Sequence, residues 1–414
     1  MGIEAWLALV AFIVAGVAVV LTWARREGVV APTVVGLVAQ GVLTIGLYAV
    51  VGLWAPDAIV YDDLGRQFAA YWSGGPLPAE VGEGKEAFPL MLGVIYFVVG
   101  QAPAIGLAMN WIAHGFLVTA LASVARRLDL PVVVTAWVVA LFPPALFWSA
   151  FLLRESITWL LMAVFLYAVG GIARRITIRD LIVMVAGLAA LMWFRGTAAI
   201  IVAGVSMTVL VLTAKRRTLL PRLGVAGIAL MVLSPRLTSL LAGYTSADDL
   251  AIKRTDLANA DTGFGPAEAP ADTSGGVDVA VGADVGADGG MATSLVDSAL
   301  RVAFGPYPWE WPGLGAPFAF DAVCWLTILL LAVLGWWRAS NRLRLFLVVL
   351  PALALAGALM ITSGNYGTMQ RLRVQTSVLL IPMASAGFTL LAARWRSHRS
   401  NHDQDADSGG HASV

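Results

Sequence analysis

The chain has 414 residues, of which 59% are hydrophobic and 13% charged, with a formal net charge of +1. Soluble globules carry about 25% charged residues, so the composition excludes one and indicates an all-α polytopic membrane protein. The two signs of charge are segregated along the chain, so the small net charge says little about partners, and nothing supports nucleic-acid binding. The single cysteine, Cys324, lies beside Trp325 in an apolar run, which excludes a disulfide framework and a cysteine-rich metal site.

A bilayer is spanned by about 20 mostly apolar residues, and the sequence predicts about eleven transmembrane helices. They lie near Ile3 to Trp23, Val34 to Leu53, Ala102 to Val124, Pro131 to Phe151, Ile157 to Ile172 and Leu181 to Trp193. Five more follow near Thr197 to Thr213, Leu223 to Leu233, Phe318 to Trp337, Leu345 to Ile361 and Val378 to Ala393. The first opens with Gly2-Ile3-Glu4 rather than a basic stretch and is followed by Arg25 and Arg26. That pattern reads as a retained helix entering from outside rather than a signal peptide.

Short cytoplasmic loops are enriched in Lys and Arg, and here the basic clusters fall on alternate connections. Arg25 with Arg26, Arg126 with Arg127, Arg174 with Arg175 and Arg179, and Lys215 with Arg216, Arg217 and Arg222 share one side. Arg338 with Arg342 and Arg344, and Arg394 with Arg396 and Arg399, join them. On that side the acids are only Glu27, Asp129, Asp180, Asp403, Asp405 and Asp407. The expected topology is multi-pass in a bacterial plasma membrane, N-terminus outside and C-terminus cytoplasmic, with any active site on the extracytoplasmic face.

Residues 1–396 read as one integral membrane domain with two long outside loops. The first, 54–100, holds Asp57, Tyr61, Asp62, Asp63, Arg66, Glu80, Glu83, Lys85 and Glu86, then an apolar run from Phe88 to Val99. That run is too short to span and reads as interfacial or re-entrant. The second, 234–317, includes a Gly-, Ala- and Asp-rich stretch from Asp261 to Gly290 with too little apolar surface to offset ordering. Residues 397–414, with His398, His402 and His411 among Asp and Ser, read as a disordered cytoplasmic tail.

The motif-bearing strings lie mostly outside. They are Tyr61-Asp62-Asp63-Leu64-Gly65-Arg66 after the second helix, Phe88-Pro89-Leu90-Met91 running to Val99-Gly100, and then a helix ending in Arg126-Arg127. Leu141-Phe142-Pro143-Pro144 leading to Leu153-Arg154-Glu155-Ser156 and Gly364-Asn365-Tyr366-Gly367 leading to Arg371-Leu372-Arg373 follow. From about Val34 to Arg175 this order resembles the N-terminal part of GT-C integral membrane glycosyltransferases, in particular the branch of protein O-mannosyltransferases and lipid A aminoarabinose transferases. The chain departs from that pattern in having Asp-Asp where Asp-Glu is usual, one Pro in the apolar segment, and no large soluble C-terminal domain.

The resemblance implies a GT-C-like helix arrangement with interfacial helices in the first outside loop. It also implies transfer of a sugar from a polyprenyl-phosphate donor to a glycan, lipid or protein acceptor. Such chemistry needs a carboxylate to take the acceptor's proton, for which Asp62 and Asp63 are the candidates. A guanidinium suits the departing phosphate, and Arg371, Arg373 and Arg154 are the candidates. Glu155, Tyr61, Trp309 and Trp311 are candidates for sugar or acceptor contacts. No metal site is assigned, because Asp62 and Asp63 are adjacent rather than spaced as Asp-X-Asp, although one of Glu80, Glu83 and Glu86 could help to hold a divalent cation.

Structural roles compete for the same residues. Asp62 and Asp63 also suit a helix cap or a solvated face, and Arg154-Glu155 suits an interfacial anchor. Tyr307, Trp309 and Trp311 suit an aromatic belt at the membrane surface, while Asn110 and His114 suit an interhelical hydrogen bond. Two other functions share these features. One is an O-antigen-type polymerase or ligase using a polyprenyl-diphosphate donor. The other is a lipid or solute transporter, which the lack of an evident internal repeat disfavours.

Overall fold

A computed structural model describes residues 3–53, 55–79, 86–243, 299–309, 316–339, 342–362 and 366–409. Among them every regular element is helical: α1 Ile3–Glu27, α2 Val30–Val51, α3 Pro56–Trp72, α4 Ala87–Val99, α5 Pro103–Arg127, α6 Val132–Ala140 and α7 Pro143–Ser149. Then come α8 Glu155–Arg174, α9 Ile178–Leu212, α10 Arg216–Gly243, α11 Ala316–Arg338, α12 Arg342–Thr362 and α13 Tyr366–Gly409. The protein is therefore an all-α, polytopic membrane protein. Nine of the described helices are long and apolar enough to cross a bilayer, and α6 with α7, bent by 51°, make a tenth if counted as one pass.

Local sequence explains the breaks. Proline begins α3, α5 and α7 at the first helical positions, where its missing N–H is not needed. Gly28, at φ +70°, makes the tight link between α1 and α2, a left-handed conformation that favours glycine. The expected spans Leu181 to Trp193 and Thr197 to Thr213 are instead two arms of α9, with one non-helical residue, Arg195 at φ −157° and ψ 78°, between them. The 35 residues of α9 would be roughly 52 Å long if straight. The arms fold back on one another, since Arg222 Nη1 donates to Leu210 O at 3.0 Å while its Nη2 donates to Ala173 O at 2.8 Å. The end of the second arm thus stands beside the end of α8 from which the first arm departs.

The core is centred on α5, which is apolar on all sides and buried along most of its length, as expected of a helix with no solvated stripe. It packs against α1, α2, α6 and α8. Helices α11 and α13 pack on each other through glycines. A Cβ on Gly335 would collide with the Met383 carbonyl oxygen, and one on Gly387 with that of Leu331. Small residues permit such backbone approach within membranes.

Ion pairs sort the connections into two ends. At one, Arg126 Nε bonds Glu27 at 2.7 Å, while Asp129 bridges Arg174 at 2.5 Å and Arg344 at 2.9 Å. Arg127 there pairs with Asp180 at 2.9 Å. This basic end gathers five of the six clusters that the charge pattern assigns to a single side. α3 and α4 lie at the opposite end and pack on each other. At 13 residues α4 is too short to be a span, consistent with the expected interfacial or re-entrant segment. α13 continues as helix to Gly409, past Ser397.

Candidate functional site

Two helix breaks face each other at the end opposite the basic loops. The chain between α7 and α8 is held by Asn110, whose Nδ2 donates to Phe151 O and Leu153 O, both at 2.7 Å. This fixes where α8 begins and so where Arg154 and Glu155 sit. The break in α9 leaves the Phe194 carbonyl outside a regular helical ladder, and Arg154 Nη1 donates to it at 3.0 Å. Arg195, at the tip of the hairpin, reaches Glu155 Oε1 at 3.4 Å.

α13 supplies the third cation. Arg371 Nε lies 3.1 Å from the same Glu155 Oε1, and its Nη1 pairs with Asp57 of α3 at 2.5 Å. Asp57 and Tyr61 are four residues apart and share a helix face, so α3 turns both toward this cluster. Tyr61 is buried, and burial pushes its phenol up to about 12; Arg154, Glu155, Asp57 and Arg371 are all close enough to act on it. Among the described residues the cluster holds Arg154, Arg195 and Arg371 against two carboxylates, Asp57 and Glu155. Glu155 is only 1% exposed, so its charge is tenable only with these guanidinium partners.

The two first-loop acids of the sequence analysis face elsewhere. Asp62 is buried against α4, where it takes an ion pair from Arg66 and a 2.6 Å hydrogen bond from the Tyr96 hydroxyl. Burial first, and the Asp62 carboxylate second, raise the Tyr96 phenol well above its ordinary value, so it remains a proton donor. Asp63 is exposed and accepts from Gln67 Nε2 at 2.7 Å. The two aspartates thus turn away from the face of α3 that carries Asp57 and Tyr61, Asp62 enclosed and Asp63 exposed.

The structure brings together Arg154, Glu155, Tyr61 and Arg371, and it places Arg373 apart. Two residues on from Arg371, Arg373 points to a different side of α13 and is 1% exposed. It donates to Gly305 O at 2.7 Å and Arg301 O at 3.0 Å and stands 3.8 Å from Asp321. These bonds clamp residues 301–305 to the bundle. Trp309 is exposed and stacks on Tyr307 at 4.8 Å between ring centres. Trp311, Glu80 and Glu83 lie outside the described residues, as do Gly364, Asn365 and the Asp261 to Gly290 stretch. His114 is fully buried beside Ala140 of α6. Among the described residues no three metal-ligating side chains gather.

Sequence reasoning missed Arg195 and gave Asp57 no role. The available signal was a lone arginine between two apolar runs each too short to be a comfortable span, since a charge in such a place is costly and tends to be functional. No protein-family model, no curated protein and no solved structure matches this chain.

Proposed function

We propose that the protein is a membrane glycosyltransferase that takes a sugar from a polyprenyl-phosphate donor and passes it to an acceptor outside the cytoplasm. Counting each arm of α9 as one pass, and α6 with α7 as one, gives eleven passes. On this reading the basic loops face the cytoplasm, following the insertion bias of Lys and Arg, and the arginine cluster at the opposite end of the bundle faces outside. We read the protein as a GT-C-type enzyme of the plasma membrane.

The observation that carries the proposal is the meeting of Arg195 and Arg371 on the single buried carboxylate of Glu155, with Arg154 beside them on the Phe194 carbonyl. Three guanidinium groups beside two carboxylates leave an excess positive charge suited to a phosphate. The donor's prenyl tail stays in the bilayer while its phosphate meets this cluster. In the reaction an acceptor hydroxyl attacks the anomeric carbon and gives its proton to a first-loop carboxylate, for which Asp63 is the exposed candidate, while Asp62 is enclosed by Arg66 and Tyr96. The bond from the anomeric carbon to the phosphate oxygen breaks, its electron pair stays on the phosphate, and the arginines stabilise the growing negative charge. A positioned base of this kind contributes roughly 10²- to 10⁴-fold.

A second reading, an O-antigen-type polymerase or ligase with a diphosphate-linked donor, draws on the same excess of arginine. The two separate in one assay of purified protein with mono- and diphosphate-linked sugar donors. Transfer from the monophosphate donor that is lost in Asp62→Asn/Asp63→Asn supports the first. Transfer only from the diphosphate donor, abolished by Arg371→Ala and insensitive to both aspartates, supports the second. No transfer from either donor to any glycan, lipid or protein acceptor tested rejects both.

A further inference from the structure

Directly beneath the arginine cluster lies a group of buried polar atoms that make no hydrogen bond among the described residues. On α8 they are Glu155 Oε2, Ser156 Oγ and Trp159 Nε1; on α13 they are Gln375 Nε2 and Thr376 Oγ1. None of these side chains is more than 3% exposed. Leaving such groups without partners is costly, and nearby hydroxyls on the same helices avoid it. Thr158 Oγ1 donates back to Arg154 O at 2.9 Å and Ser377 Oγ to Arg373 O at 3.1 Å. Other buried atoms share the deficit, among them both His114 nitrogens and Ser206 Oγ, but these lie on other helices, whereas here five residues on α8 and α13 share it.

Its position follows from helix geometry. A residue four further along lies one turn deeper on the same face, so Trp159 sits below Glu155 and Gln375 below Arg371. Because Arg371 Nε is 3.1 Å from Glu155 Oε1, both columns descend from one point into the contact between α8 and α13. Glu155 thus divides its work, with Oε1 shared by Arg195 and Arg371 and Oε2 without a hydrogen bond among the described residues.

We propose that these residues form a subsite for a neutral polyhydroxylated ring, and, resting on the glycosyltransferase reading, that the ring is the donor sugar. Glu155 Oε2 accepts a hydrogen bond from a ring hydroxyl. The Trp159 indole N–H and the Gln375 amide donate to ring oxygens, and the Ser156 and Thr376 hydroxyls serve as either donor or acceptor. Apart from Glu155, whose charge Arg195 and Arg371 already share, the deeper groups are neutral and offer no counter-ion for an ammonium or carboxylate on the ring. The phosphate stays above with Arg154, Arg195 and Arg371.

The test measures binding of synthetic polyprenyl phosphate and its neutral hexosyl and pentosyl esters to the full-length protein in nanodiscs. The wild type is expected to bind at least one ester more tightly than the sugar-free lipid. Gln375→Leu should weaken that ester about tenfold, as expected for one buried hydrogen bond, and leave the sugar-free lipid within about twofold. Trp159→Phe, which keeps the ring and loses the N–H, should behave the same and serves as the second variant if Gln375→Leu does not fold. Equal weakening of all lipids, or no change in either variant, overturns the subsite and leaves the phosphate site standing. A wild type that binds none of these lipids overturns both.

Discussion

Replacing Glu155 tests the geometry without reference to any substrate. Glu155 is 1% exposed and faces Arg195 at 3.4 Å and Arg371 at 3.1 Å. At 3.4 Å and an effective dielectric near 20 the attraction to Arg195 is about 5 kcal/mol, and desolvation of both ions offsets much of it. A net coupling of about 1–3 kcal/mol remains. Arg371 keeps Asp57 at 2.5 Å, whereas Arg195 loses its carboxylate, so Glu155→Gln should cost about 3 kcal/mol, at the lower edge of the range for breaking a buried pair. A double-mutant cycle of Glu155→Gln with Arg195→Gln, followed by reversible denaturation of the purified protein in mixed micelles, reads the coupling directly. Because the pair is buried it should change little between low and high salt. Effects additive within about 0.5 kcal/mol, the level seen for independent sites, refute the shared carboxylate.

Asn110→Ala removes the donor to Phe151 O and Leu153 O and should destabilise the protein by about 1–2 kcal/mol, toward the upper end of interhelical hydrogen bonds measured within membranes; the same denaturation assay measures it. Gly387→Val drives a side chain into the Leu331 carbonyl and should cost about 1–3 kcal/mol as overpacking, seen as a lower melting temperature, while Gly357→Ala, with open space around it, should not. Tyr61, raised from 10.0 to about 12, stabilises the fold fully below pH 10 and loses that contribution as pH rises toward 12; Tyr61→Phe should flatten the stability profile in that window alone.

Much of the architecture was legible. Apolar runs of spanning length and the alternation of arginine-rich connections anticipate both the helices and the common end where Arg126, Arg174 and Arg344 meet their acids. The short run from Phe88 to Val99 was recognisable because its length alone prevents it from crossing. The candidate site was legible only in part. Arg154, Glu155, Tyr61 and Arg371 could be picked out by type and place, but Arg373 has the same type and place and serves instead to hold Arg301 and Gly305. The difference is an angle around α13, and two residues of spacing say nothing about what stands on either side.

Composition and charge order along the chain determine that this protein lives in a bilayer and which connections share a side, because transfer into lipid and the insertion bias act on local sequence. Which side chains meet depends on contacts between segments far apart in the chain. Asp57 reaches Arg371 across 314 positions, and the hairpin of α9 brings Arg195 to Glu155 across 40. Only the packing of α3, α8, α9 and α13 decides that one buried carboxylate gathers guanidiniums from two of them.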